Sequence, residues 1–284
     1  QAYYSRGCDS KELFKNYEIS TVSSYEKNLN KYDVIHFDVQ WCMMDAEDTD
    51  HVVDYINEGI LQELREAYGQ IIPDAVRTAY GAMSYIKAAT GNKFVVIIDE
   101  WDVLIRDEAQ NHTLQEAYID FLRGMFKGTE PSRYIALAYL TGILPIKKYG
   151  THSALNMFDE FSMINPGPLA SYVGFTELEV AALCTDYHMD LDEIKAWYNG
   201  YSFEKIPSIY NPRSVVSCMR FGKIGNYWNQ TETFEALQIY IDMNFEGLKD
   251  DVLSMIAGES VPVNTGSFTN DMTTFRTEDD VLTL

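Results

Sequence analysis

The sequence has few basic residues and no long apolar run, and each shortage excludes a class of protein. Its 284 residues contain 22 Lys and Arg against 43 Asp and Glu, which gives a formal net charge of −21. An acidic surface repels phosphate backbones, so we do not expect this chain alone to bind DNA or RNA tightly. The apolar runs are far shorter than a membrane-spanning helix requires. We therefore expect a soluble cytoplasmic protein without a membrane partner.

Cysteine is also scarce, and the four cysteines are spread along the chain without a CxxC pair. No His stands at the spacing of a zinc ligand, so the pattern argues against a zinc site and favours free thiols in a reducing compartment. Hydrophobic residues nevertheless make up 46% of the chain, which is enough for a sizeable core. The cysteines are Cys8, Cys42, Cys184 and Cys218.

Short apolar segments rich in β-branched residues predict buried strands in the first part of the chain. Helical periodicity fills the intervals, at residues 51–68, 73–89 and 113–126. Strands that alternate with helices imply a parallel sheet, and hence an α/β fold. The predicted strands are Val34–Val39, Phe94–Ile98, Tyr134–Leu140 and a weaker fourth, Glu160–Ile164.

Helical pattern dominates the later part of the chain, where strand-like runs are scarce. The segment Thr176-Glu-Leu-Glu179 is a capping box that begins a helix. A short helix over Leu191–Tyr198 follows, and Asn199-Gly200 is a suitable stop for it. Asn211-Pro212 begins a third helix, since Pro suits the first helical turn.

Two acids follow the most apolar predicted strand, in the segment KFVVIIDEWDVLIRD. Ligands of open parallel sheets bind at the carboxyl ends of the strands, and Asp99 and Glu100 stand at such an end. One acid there can hold a Mg²⁺ that also binds nucleotide phosphates, and a second can orient an attacking water. The alternative, to which the spacing gives equal weight, is that Asp99 caps the next turn and Glu100 is merely solvated.

Polar residues also stand at the ends of the two other strands, Asp38 after Val34 and Thr141 after Tyr134. If these strands flank the Phe94 strand, all three ends place polar groups at one rim of the sheet. Thr141 can then contact a γ-phosphate or the attacking water, or it is a turn residue. For Asp38, a helix-capping or loop role is favoured over a ligand role.

A glycine-rich phosphate loop of the pattern GxxxxGK[ST] is absent from all 284 residues. In ATPases with such acids, the amides and the Lys of that loop hold the phosphates. If Asp99 and Glu100 belong to a nucleotide site, the sequence lacks the main phosphate-binding element of that site.

A set of motifs, in their order and spacing, resembles the AAA-ATPase-like domain of bacterial and archaeal proteins. The match runs over nearly the whole chain, and in many members a nuclease-like domain of the PD-(D/E)XK type follows. The motifs are Ala2-Tyr-Tyr, IIDEWD (97–102), LTGILPI (140–146), SALNMFDEFSM (153–163), YVGFTELEV (172–180), WYNGYSF (197–203) and YNPRSVVSCM (210–219).

The resemblance implies a parallel α/β sheet of the P-loop NTPase, AAA-like type over residues 1–167, and a mostly helical lid region over residues 168–284. Members usually begin with a strand, the phosphate loop R-P-R-R-F-G-K-S and a helix, and Gln1-Ala-Tyr-Tyr looks like the end of that helix. The chain thus looks like the family domain without its first strand and phosphate loop, ending before the nuclease-like domain.

The resemblance also implies ATP and Mg²⁺ as ligands and gives roles to individual residues. Asp99 matches the Mg²⁺ acid, Glu100 the water-orienting acid and Thr141 the polar residue of the sensor strand. Family members often have an Arg after the Thr-Gly pair, and this chain has none there. Lys147 or Lys148 is the replacement, as a point charge without the planar fork of Arg.

Asp38 and Arg213 are further candidates for nucleotide contacts, Asp38 from the rim and Arg213 by reaching back to phosphate from the lid region. That region is rich in aromatic residues, from Trp197 to Trp228. Packing of a helical lid explains them better than base stacking, because stacking surfaces usually have a basic groove.

A missing first strand has a structural consequence. In AAA-type sheets that strand lies between the sensor strand and the last strand, here Tyr134–Leu140 and Glu160–Ile164. Its absence exposes two hydrogen-bonding edges, which is costly. We expect that the sheet closes around the gap, or that another chain or an upstream segment fills it.

Three functions remain open at this point. The first is an ATP- and Mg²⁺-dependent switch, with ATP hydrolysis expected of an intact parent and weak or absent in this chain alone. The second is a non-enzymatic protein-interaction module on a degenerate P-loop fold. The third is a metal-dependent nuclease that uses Asp38, Asp99 and Glu100, which the acidic charge disfavours, as does the lack of a Lys two residues after either acid of the pair.

Overall fold

The protein divides into two compact units, one over Gln1–Phe158 and one that begins at Asp159. Its structure is a computed structural model that describes residues 1–108, 110–143, 155–163, 165–203, 206–227, 247–264 and 277–283. The predicted domain ranges, 1–167 and 168–284, stay a prediction, since compactness alone does not test whether each part folds independently.

The described residues of the first unit form a parallel sheet of three strands, in the spatial order β1-β2-β3. The strands are β1 (Asp33–Asp38), β2 (Phe94–Asp99) and β3 (Ile135–Leu140). They confirm the three main strand predictions, the α/β class and the expectation that the Phe94 strand is flanked by the other two. One irregularity lies between β2 and β3, where Phe94 pairs with Ile135 but Val95 pairs with Leu137, so that Ala136 is an extra residue.

The prediction of a fourth strand over Glu160–Ile164 is wrong for its described residues, 160–163, which form no strand. The chain turns here instead of extending. The Ser162 amide donates to the Asn165 carbonyl at 3.2 Å, and the Asn165 amide donates to the Ser162 hydroxyl at 3.1 Å. Local side-chain bonds of this kind compete with a sheet ladder for the backbone groups.

Helices surround these strands in the sequence, and their caps explain where they begin. Asp38 accepts a hydrogen bond from the Trp41 amide at 2.9 Å and so caps the helix after β1. The helix predicted over residues 73–89 begins only at Ala79, because Thr78 is its N-cap. The helices are α1 (Lys11–Phe14), α2 (Tyr25–Asn28), α3 (Val39–Asp45), α4 (Val52–Tyr68), α5 (Ala79–Thr90), α6 (Val103–Asp107), α7 (His112–Phe126) and α8 (Pro131–Tyr134).

The hydrophobic core of this unit lies on one face of the sheet. Phe94, Val96 and Ile98 are fully buried there, against apolar side chains of α3 to α7. The opposite face, which we call the outer face, carries residues that pair in register across the strands: His36 with Ile97, and Ile97 with Tyr139. On the outer face Val95 of the central strand is buried, but Tyr139 is 52% exposed and Leu137 is 40% exposed. Parallel sheets are normally covered on both faces, so this exposure is unusual.

The second unit has helices and an antiparallel sheet that the sequence analysis did not predict. The capping box at Thr176 and Glu179 is confirmed, as are the helices that end at Tyr198 and begin at Pro212. Its described strands and α-helices are β4 (Phe175–Thr176), α9 (Glu177–Tyr187), α10 (Leu191–Tyr198), β5 (Asn199–Phe203), β6 (Ile206–Tyr210), α11 (Pro212–Phe221), α12 (Leu248–Ile256) and α13 (Glu278–Thr283), with the sheet order β4-β6-β5. A 3-10 helix over Gly167–Tyr172 precedes them.

The four cysteines are free thiols, as predicted, and only Cys8 is exposed. Burial raises the pKa of the Cys42 thiol to about 11, and the carboxylates of Asp38 and Asp45 add to the rise. Among the described residues, no helix combines the length and the apolar character needed to cross a lipid bilayer.

We expect the two faces of the sheet to differ in their contribution to stability. Ile98→Ala should lower the free energy of unfolding by about 2–5 kcal/mol, because it leaves a cavity in the core. Leu137→Ala on the outer face should cost less than about 1 kcal/mol, because the side chain is already partly in water. Urea unfolding of both variants measures the difference, and equal losses would contradict a one-sided core.

Candidate functional site

The carboxyl ends of the three parallel strands bring polar side chains to one rim. The Thr141 hydroxyl donates a hydrogen bond to the carboxylate of Asp99. The backbone fixes this contact, because the Thr141 amide donates to the Ile98 carbonyl at 3.0 Å and the Trp101 amide donates to the Thr141 carbonyl at 2.9 Å. Asp38 pairs in register with Asp99 on the neighbouring strand. The predicted meeting of Asp38, Asp99 and Thr141 at one rim is therefore present.

The chain leaves β2 through a sharp turn at Glu100. Its φ of 50° is left-handed, which is uncommon for a residue other than glycine. The Asp99 carboxylate accepts from the Glu100 amide at 3.2 Å, and the Glu100 carbonyl accepts from the Val103 amide at 3.1 Å. This side-chain contact reaches only the adjacent amide, so the alternative interpretation, in which Asp99 caps the next turn, stays a prediction; Asp99 itself is exposed.

A buried acid that the sequence analysis did not single out lies directly behind the rim. Asp102 has no exposed surface, and its carboxylate oxygens accept from the Ile143 amide at 3.1 and 3.2 Å. It also accepts from Arg106 Nε at 3.1 Å, and Arg106 Nη2 donates to Glu100 Oε2 at 3.1 Å. The only sequence signal for this network is the spacing of four residues between Asp102 and Arg106 on a helical turn.

The surroundings of Glu100 raise the pKa of its carboxyl group. Burial raises the pKa of Glu100, and the carboxylates of Asp102, Asp99 and Asp38 raise it further. The Arg106 guanidinium acts in the opposite direction and lowers the pKa. A carboxyl group with these opposing influences at a strand end is typical of a functional site, although structural ion pairs produce such shifts as well.

The residue after Thr141 is a glycine because a side chain at that position would not fit. A Cβ atom on Gly142 would overlap Asp102 Oδ1 and would lie 2.6 Å from Trp101 Cδ1. Trp101 is buried, and its carbonyl accepts from the hydroxyl of the buried Tyr118 at 2.8 Å. The Thr-Gly pair therefore has one residue that faces Asp99 and one that leaves room for Asp102.

Four predicted site residues remain, namely Asp38, Lys147, Lys148 and Arg213. Asp38 caps α3, as the favoured interpretation predicted, and whether it also contacts a ligand stays a prediction. Lys147 and Lys148 lie outside the described residues. Arg213 is an exposed residue at the start of α11 in the second unit.

The donor set of the rim fits a magnesium ion that is shared with a nucleotide. Among the described residues, no group of three or more His, Cys, Asp or Glu side chains is placed to hold a metal ion. Mg²⁺ does not need such a group, because it commonly binds one or two carboxylates together with substrate phosphates and water. The Asp99 carboxylate and the Thr141 hydroxyl provide oxygen atoms of the required kind.

The chain belongs to the AAA-ATPase-like family, described as a predicted AAA-ATPase, whose family model matches residues 1–151. This range contains all three strands of the parallel sheet and the rim residues Asp38, Asp99, Glu100 and Thr141. The resemblance suggested by the sequence motifs is therefore confirmed at the level of the family.

A curated relative is an uncharacterized protein from Azotobacter chroococcum mcd 1, in the region 5′ of vnfD. It is 29% identical over 175 residues, which cover 61% of this chain and 31% of the relative. The chain thus spans less than a third of the length of that relative. No solved structure matches the chain.

Removal of the buried acid should destabilise the first unit. We expect Asp102→Ala to lower the free energy of unfolding by about 3–5 kcal/mol, because it leaves the Arg106 guanidinium and the Ile143 amide without their shared acceptor. Asp120→Ala is the control, since its ion pair with Arg123 is on the surface and is worth about 0–1 kcal/mol. Chemical denaturation gives both values, and a cost similar to the control would contradict the role of Asp102.

The packing at Gly142 can be tested with a matched glycine. Gly142→Ala should cost about 1–3 kcal/mol or more, because the added methyl group overlaps the buried carboxylate. Gly59→Ala in α4 meets no atom within 4 Å and should instead gain about 0.5–1 kcal/mol from helix propensity. Thermal unfolding of both variants is the measurement, and a Gly142→Ala protein as stable as the parent would show that the rim has room for the methyl group.

Proposed function

We propose that this chain is the nucleotide-binding core of an ATP- and Mg²⁺-dependent switch. The observation that carries the proposal is the contact between Thr141 and Asp99, with Glu100 next to them, at the ends of neighbouring parallel strands. In open parallel sheets this is the position where ligands bind. Membership of the AAA-ATPase-like family supports ATP as the ligand.

The proposed roles follow from the chemistry of each side chain. Asp99 would hold Mg²⁺, which when bound neutralises charge on the phosphate oxygens. Glu100 would orient the attacking water, and Thr141 would contact the water or the γ-phosphate. Asp38, Lys147, Lys148 and Arg213 are proposed as further nucleotide contacts.

We expect weak or absent ATP hydrolysis by this chain alone. The pattern GxxxxGK[ST] does not occur in its 284 residues, and in P-loop NTPases most phosphate contacts come from that loop. Hydrolase activity, a P-loop NTPase sheet with a further strand, and a following nuclease-like domain are proposed for a longer parent protein. A cytoplasmic location stays a prediction from composition.

We also propose that a further strand pairs with β3, from another chain or from an upstream segment. Among the described residues, β3 is at an edge of the sheet. Its outer face exposes Leu137 and Tyr139, which are suited to a hydrophobic cover. The same exposed face supports the alternative function, a non-enzymatic protein-interaction module on a degenerate P-loop fold.

The proposed function predicts Mg²⁺-dependent ATP binding that calorimetry can measure, on this chain and on one extended upstream through a phosphate loop. Asp99→Ala should abolish the binding, because the metal loses its protein ligand. In the chain extended through the phosphate loop, Glu100→Gln should keep the binding and lose hydrolysis, because the amide is a poor base for water. Asp120→Ala and Glu116→Gln are the matched controls, since both acids are exposed on α7.

The outcomes separate the two candidate functions. Binding by the longer chain alone would make these residues the core of an ATPase that needs its phosphate loop. If neither chain binds ATP, the ATPase proposal is wrong and the interaction module is the better description. If both rim variants behave like the parent in the longer chain, nucleotide binds elsewhere.

A further inference from the structure

We propose that Arg106 is a positioning residue, which together with the buried Asp102 holds the Glu100 carboxylate in the place from which it orients water. This inference rests on the proposed function and adds a residue to its machinery. Arg106 does not contact the reacting atoms in this scheme and acts through Glu100.

The first argument is the geometry of the Arg106 guanidinium. Its Nε donates to Asp102 and its Nη2 donates to Glu100, each at 3.1 Å, so one planar group bridges two separate carboxylates. The Arg106 side chain is only 18% exposed. The guanidinium is planar, and two of its N–H groups are engaged. It therefore restricts the position of the accepting carboxylate more than the flexible ammonium group of a Lys would.

The second argument is that the base of this bridge is fixed. Asp102 is fully buried and accepts from the Ile143 amide as well as from Arg106. The residues between them on α6, Val103 to Ile105, are all buried in the core. Arg106 is therefore held at its backbone by core packing and at its side chain by an immobile carboxylate.

The third argument is that Glu100 needs such a restraint. Its side chain is 38% exposed and it stands on a turn with a left-handed backbone. A Glu side chain that is partly exposed still has several rotamers open to it. Catalytic groups work best when neighbouring groups lock their rotamers, and a displacement of about 1 Å can cost about 100-fold in rate.

Other ion pairs of the same unit differ from this bridge and provide a control. Arg133 donates to Glu130 at 3.0 Å, nearly the same distance, but the two side chains are 70% and 61% exposed. That pair has the geometry of an ordinary surface ion pair, which contributes little to the free energy of unfolding. Arg133→Leu therefore removes one arginine and one ion pair without a change at the rim.

The kinetic test uses the longest natural chain that contains these residues, in its parent form and as Arg106→Leu, Arg106→Lys and Arg133→Leu. We expect Arg106→Leu to lower kcat for ATP by at least about 10-fold while KM stays within about two-fold, the pattern of an interaction used in the transition state. Arg106→Lys should recover part of the loss, and Arg133→Leu should match the parent.

A spectroscopic measurement tests the contact without reference to activity. The ¹⁵N–¹H signals of the Arg106 guanidinium should be resolved in the parent protein, since two carboxylates hold the group. They should shift or broaden in Glu100→Gln, while those of Arg133 stay unchanged. Identical Arg106 signals in both proteins would show that the bridge to Glu100 does not exist, and the inference would be wrong.

The two proposals fail in different ways. If the parent hydrolyses ATP and Arg106→Leu has the same kcat, or a higher one, the positioning role is wrong and the proposed function stands. The same conclusion follows if Arg106→Leu only lowers the unfolding temperature. If the parent neither binds nor hydrolyses ATP, the proposed function is wrong, and the inference is overturned with it.

Discussion

The buried carboxylate of Asp102 is the interaction on which the rim depends. It lies behind the end of β2 and accepts from the amide of Ile143, just after β3, so it joins the two segments that carry Asp99 and Thr141. It also holds Arg106, and through Arg106 it holds Glu100. A buried charge is costly unless hydrogen bonds and an opposite charge compensate it, and here both are present. The acids of the rim, of which Asp99 is exposed and Asp38 and Glu100 are partly buried, are thus supported by one that is inaccessible to solvent.

The parallel sheet of the first unit carries the site at the ends of its strands and also has an exposed edge and face. Its core lies on one face, and the outer face with His36, Leu137 and Tyr139 is partly in water. The strand β3 contributes to both, because it ends immediately before Thr141 of the site and is at an edge of the described sheet. Any segment that pairs with β3 would therefore lie next to the rim. Partner binding and ligand binding would then act on the same strand.

Local and periodic features were predictable from the sequence. The strands at Val34–Val39 and Phe94–Ile98 follow from β-branched apolar runs, and the capping box at Thr176 follows from four adjacent residues. The rule that parallel strands share a carboxyl end predicted the rim itself. These features depend on short stretches of chain or on a general property of one fold class.

Features that depend on tertiary structure were missed. Asp102 meets the Ile143 amide across a sequence separation of 41 residues, and nothing in IIDEWD states that the second Asp is buried. The strands β5 and β6 pair across a short connection, but Asn199-Gly200 is an equally good helix stop. The apolar segment at Glu160–Ile164 has the composition of a strand. In the structure, hydrogen bonds between Ser162 and Asn165 engage its backbone groups instead.

The extra residue in β3 determines which side chain reaches the rim. Because Ala136 has no partner in the ladder, Ile98 pairs with Leu140 and Asp99 meets Thr141. In a ladder without that bulge, Ile98 would pair with Tyr139 and Asp99 with Leu140, and every β3 side chain from Leu137 onward would change face. The number of residues near the start of β3 thus determines that the side chain at the site is one with a hydroxyl group. A length change at that distant end would alter the chemistry of the rim without a substitution in it.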